Sequence, residues 1–69
     1  MNTIKPIDVR KLLMELWESA DLSDAKIGKA VETPAPTITR LRTGVHKTTM
    51  VDRAIRIANF HARVFGGER

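Results

Sequence analysis

Residues 22–47, LSDAKIGKAVETPAPTITRLRTGVHK, decide the fold. They read as a short helix, a tight turn and a second short helix that ends at Gly44. Leu22, Ile27, Val31, Ile38 and Leu41 keep helical spacing, so two crossing helices meet each other and a shared core through these side chains. Thr37, Thr39, Arg40 and Thr43 then gather on the outer face of the second helix. Ser23 suits the N-cap of the first, because its hydroxyl accepts a backbone N–H that would otherwise be unpaired, and Asp24 lies just inside it. Thr33 is placed to cap the second, with Pro34 at its first position and Pro36 still in the first turn, where a missing N–H is tolerated. Gly44 suits a left-handed C-terminal residue.

The flanks extend the same pattern. Val9, Leu12, Leu13, Leu16, Trp17 and Ala20 follow i, i+3, i+4, i+7 spacing and predict a helix over about 6–20, with Trp17 completing its core face. Pro6 fits its first turn, and Asp8 complements the positive end of its dipole. Thr49 can cap a last helix, with Asp52 three residues on as in a capping box, and Gly66-Gly67 ends it. No segment alternates apolar and polar residues over a strand's length, and the connections are short. The expectation is an all-α, compact bundle of four or five short helices, a single domain over residues 1–69 with its helix-turn-helix at about 22–44.

Sixty-nine residues support one small core. There is no cysteine and only His46 and His61, so neither a disulfide nor a zinc site is expected to reinforce it. No apolar run approaches the roughly 20 residues of a membrane span, and the N-terminus has no signal-peptide core, which predicts a soluble, cytoplasmic chain without a membrane partner. The net charge of +4 is unevenly placed. Residues 1–22 hold three cations against four carboxylates, residues 23–49 five against two, and residues 50–69 four against two. The positive excess begins with the two-helix unit, as a polyanionic partner requires.

Leu22-Ser23-Asp24, Ile27-Gly28, Val31, Thr37-Ile38-Thr39-Arg40-Leu41 and Gly44 resemble the lambda-repressor-like, or Cro/repressor-type, helix-turn-helix family. The flanking helices match that family in position, so the resemblance covers most of the chain. It implies a sequence-specific double-stranded DNA-binding regulator, with the second helix of the unit in the major groove. Base readout then falls on Ala35, Pro36, Thr39, Arg40 and Thr43, with Arg40 suited to a bidentate contact with a guanine edge. Phosphate contacts fall on Ser23, Lys26, Lys29, Thr37, Arg42, His46 and Lys47. A chain scarcely longer than the motif suggests a small Cro-like repressor of a phage or plasmid, acting in a bacterial or phage-infected cell and held at the nucleoid when bound.

The chain departs from the family pattern at three places. The glutamine that opens the first helix of the unit is Asp24, whose carboxylate cannot donate to phosphate. The small residue within that helix is Gly28 rather than alanine, and the turn glycine is Glu32, which in a left-handed conformation costs about 1–2 kcal/mol. The first readout positions, Ala35 and Pro36, carry no hydrogen-bonding side chain.

The last helix carries two apolar stripes. Val51, Ala54, Ile55, Ala58, Ala62 and Phe65 form one; Met50, Ile57, Phe60 and Val64 form another, roughly 120° around. The first is assigned to the core. The second, with Arg53 at its rim, is the expected homodimer interface that would place two subunits on a near-palindromic operator. The rival expectation is a protein-interaction module, an antitoxin or antirepressor, that uses this stripe for a different protein. Catalysis has no support: there is no Cys/His pair, metal-ligand spacing or glycine-rich phosphate loop, and no cofactor or small-molecule ligand is expected.

Overall fold

The computed structural model describes residues 7–46 and 49–66. Among them are four helices and no strand: α1 (Val9–Glu18), α2 (Asp24–Ala30), α3 (Ala35–Thr43) and α4 (Val51–Gly66). The fold is an all-α bundle in which α2 crosses α3, and α1 packs against both α3 and α4. None of these helices is long and apolar enough to cross a membrane.

Capping sets the helix limits. Asp8 Oδ1 accepts the Lys11 N–H at 3.1 Å, so α1 opens at Val9 rather than at the expected residue 6; Pro6 lies outside the described residues. α1 stops at Glu18, and the chain turns through Asp21 at φ 58° while the Leu22 N–H bonds the Leu16 carbonyl. Ser23 caps α2 as expected, its Oγ accepting the Lys26 N–H at 3.1 Å.

The α2–α3 turn repeats a common C-terminal solution. Glu32 adopts φ 56°, and the Thr33 N–H reaches back to the Gly28 carbonyl at 2.8 Å, as in a Schellman motif. Thr33 is therefore not the cap of α3. It is buried in the turn, where its hydroxyl donates to the Val31 carbonyl, and Pro34 caps the helix instead. The Thr33 carbonyl lies over Gly28 so closely that an ideal Cβ there would sit 2.3 Å from it. Only glycine permits this approach of the turn to α2. Gly44 ends α3 at φ 89°.

Leu13, Leu16, Ile27, Val31, Ile38, Leu41 and Ile57 form the core, with Val9, Leu12, Leu22 and Phe60 packed against it. Two expectations are corrected here. Trp17 is 42% exposed rather than core. Ile57 is fully buried, so it cannot serve a dimer interface; Phe60 and Arg53 are half-buried on the same side of α4. The physical reason is that α1 covers that side, and the Glu15–His61 contact of 2.6 Å fixes α4 in this rotation. The ends of the expected dimer stripe stay exposed, Met50 at 61% and Val64 at 38%, so only its middle is buried. Of the stripe assigned to the core, Val51 is 72% and Ile55 and Phe65 are 45% exposed, while Ala54 and Ala58 are half-buried.

Candidate nucleic-acid interface

Ile38 and Leu41 turn one side of α3 into the core, which leaves an outer arc bearing Ala35, Pro36, Thr39, Arg40 and Thr43. Pro36, Arg40 and Thr43 are exposed; Ala35 and Thr39 are half-buried. The hydroxyls are already engaged. Thr43 Oγ1 donates to the Thr39 carbonyl at 2.8 Å, and Thr39 Oγ1 donates to Asp24 Oδ2 at 2.7 Å. Each retains acceptor capacity but has spent its proton. Arg40 makes no side-chain hydrogen bond or ion pair among the described residues, so its guanidinium is the unspent donor group of this arc.

Arg42 lies in a different situation. Its Nε donates to Asp24 Oδ1 and its Nη2 to Asp24 Oδ2, both at 2.9 Å, a bidentate pair. Its guanidinium also lies 4.3 Å from the centre of the Trp17 ring, a cation–π contact that accounts for the exposed position of the tryptophan. The two side chains of the ion pair are 15% and 16% exposed. Hydrogen bonding to Arg42 is the largest cause that holds the Asp24 carboxyl below its ordinary range, against the opposing effect of burial and aided by Thr39. Asp24 raises the Arg42 guanidinium in turn. The aspartate that departs from the family pattern thus binds the start of α2 to the middle and end of α3, and Trp17 ties α1 to the same cluster.

Of the residues expected on phosphate, Lys26, Lys29 and His46 are exposed, and Ser23 is exposed with its oxygen serving as a cap. Thr37 is half-buried, and Arg42 is held by Asp24 rather than presented outward. Lys47 lies outside the described residues.

Two arginines that the sequence reading passed over secure the unit. Arg10 Nε donates to the Arg42 carbonyl at 3.3 Å, and Arg56 Nε donates to the Val31 carbonyl at 2.9 Å. Each places a cation at the negative end of a helix, on α3 and α2 respectively. Nothing local marks them in the sequence, because their partners lie 32 and 25 residues away. Comparison with protein-family models, curated proteins and solved structures gives no match.

Proposed function

We propose that this chain is a sequence-specific double-stranded DNA-binding regulator, similar in kind to the small Cro-like repressors, with α3 in the major groove. The observation that carries this reading is the exposed Arg40 on the outer arc of a helix whose other side is buried and whose crossing with α2 is fixed by Asp24 and Arg42. Arg40 would read a guanine edge, Ala35 and Pro36 would lie against apolar base surface such as a thymine methyl, and Thr39 and Thr43 would accept from base donors. Lys26, Lys29 and His46 would grip phosphates.

Fluorescence anisotropy with mixed duplexes at two salt concentrations tests the class of partner, since phosphate neutralisation makes affinity fall steeply with salt. Arg40→Ala should then cost about 1–3 kcal/mol on the preferred site and relax the preference at one base pair. Unchanged affinity and preference would refute a reading role for α3. The rival reading, an antitoxin or antirepressor that binds another protein, is favoured by the exposed Val51, Ile55 and Phe65 of α4. Absent or salt-insensitive DNA binding would favour it.

A further inference from the structure

We propose that two copies of this chain pair antiparallel through the exposed face of α4, about a two-fold axis at Ala58. Val51, Ile55, Ala58, Ala62 and Phe65 succeed one another by four, three, four and three residues. That is the seam spacing of helices packed side by side along their length. Val51, Ile55 and Phe65 are 72%, 45% and 45% exposed; the Phe65 ring also lies 4.6 Å from that of His61, and Ala58 is half-buried. The seam residues centre roughly 120° around α4 from Ile57, so the core and the seam do not use the same side chains.

The order of residues along the seam selects the second copy and its direction. The pattern is nearly palindromic about Ala58: Val51 and Phe65 lie seven residues to either side, Ile55 three before and Ala62 four after. Antiparallel packing sets Val51 against the partner's Phe65, Ile55 against the partner's Ala62, and Ala58 against its own symmetry mate, so a larger side chain meets a smaller one in every layer but the central one, where two alanines allow close approach. Parallel packing would stack the two Phe65 rings on each other and leave facing alanines at two successive layers. Charge agrees. Asp52 and Arg63 are both exposed, make no ion pair among the described residues, and lie about 20° apart on one flank of the seam at about 100° per residue. Asp52 is six residues before Ala58 and Arg63 five after it, so the two-fold brings each against the other's counterpart twice.

The pairing does not rest on the DNA-binding reading and is measured without DNA. A chain that pairs but ignores DNA keeps the pairing and loses that reading; a DNA-binding monomer does the reverse. Sedimentation equilibrium from low to high micromolar concentration should show a mass rising from 7.7 kDa towards twice that value. Ile55→Asp should stay helical by circular dichroism and weaken the dimer by at least about tenfold. Asp52→Arg should weaken it too, and Asp52→Arg combined with Arg63→Asp should restore it. Because the chain has no cysteine, single introduced thiols report the direction. Ala58→Cys should cross-link two chains on mild oxidation, while Val51→Cys should not. A wild-type monomer at every concentration, an Ile55→Asp variant that dimerises as well as wild type, or Val51→Cys cross-linking as readily as Ala58→Cys would each overturn the proposal.

Discussion

Removing the Asp24 carboxylate should loosen the crossing of α2 and α3 more than a surface ion pair would suggest. Asp24→Ala deletes two bonds of 2.9 Å from Arg42 and one of 2.7 Å from Thr39. Exposed ion pairs contribute about 0–1 kcal/mol, whereas breaking a buried pair costs about 3–5 kcal/mol. With side chains 15% and 16% exposed, this pair lies nearer the buried case, yet Arg42 keeps its contact with Trp17 when the aspartate is gone. A loss of about 2–3 kcal/mol is expected at neutral pH. Urea denaturation monitored by circular dichroism measures it, and a double-mutant cycle with Arg42→Ala should return a coupling of about 1–2 kcal/mol.

The pH dependence supplies an independent check. The Asp24 carboxyl is held below its ordinary value of 3.8 in the folded chain, so the unfolded chain binds its proton first as pH falls. Its contribution is fully present above that ordinary value and is lost as pH drops through the lowered folded value. Wild type and Asp24→Ala should therefore differ most at neutral pH and converge only as pH falls below 3.8 and through the lowered folded value. Additive single mutants, or a difference that persists undiminished in acid, would refute the assignment of the stabilisation to this ion pair.

Three further outcomes follow from the same geometry. Glu32→Gly should raise stability by about 1 kcal/mol in urea denaturation, because glycine takes the φ of 56° without the Cβ clash, whereas Glu32→Ala should gain nothing of the kind. Gly28→Ala, ordinarily favourable in a helix, should instead cost about 1–3 kcal/mol and lower the melting temperature, since the new methyl meets the Thr33 backbone carbonyl. Ile57→Ala should cost about 2–5 kcal/mol, and Ile55→Ala, measured on the monomer, well under half of that.

What was legible in the sequence depended on short range. The cap at Ser23, the left-handed Gly44 and the left-handed demand on Glu32 each involve residues within a few positions of one another, and each appears where local chemistry puts it. Asp8, expected inside α1 as a dipole partner, is instead its cap. The face of α4 was not legible. Both of its stripes are apolar with helical spacing, so periodicity gives two equivalent rotations. What separates them is tertiary: α1 packs on the Ile57 side, Glu15 holds His61, and Arg56 reaches Val31. Trp17 was misplaced for a related reason. A tryptophan on an apolar stripe reads as core, but this one lies at the edge of α1, where Arg42 from α3 offers a cation for its ring. The role of Asp24 depends on partners 15 and 18 residues away and had no local sign beyond its mismatch with the family pattern.

Net charge is a poor guide to how much cation a partner can meet, because internal bonds consume much of it here. Of the arginines in the described residues, Arg10 and Arg56 hold helix carbonyls and Arg42 is paired with Asp24. Arg53 is half-buried, with Nη1 3.5 Å from the Thr49 hydroxyl. A guanidinium fixed in this way has already lost its side-chain freedom to the fold and must give up a bond before it can make another. Arg40 and Arg63 are exposed and have no such bond among the described residues. One stands on the outer arc of α3, the other on the flank of the α4 seam. The two unengaged arginines therefore fall on the two proposed partner surfaces, one where an acceptor-rich base edge would dock and one where Asp52 of a second chain would stand. Lysine in place of either would keep the charge but lose the fork that grips two acceptors at once. Arg40→Lys should accordingly lose most of the base preference while retaining the salt dependence, and Arg63→Lys should leave most of the pairing intact. Equal effects of the two substitutions on their respective partners would refute this division of labour.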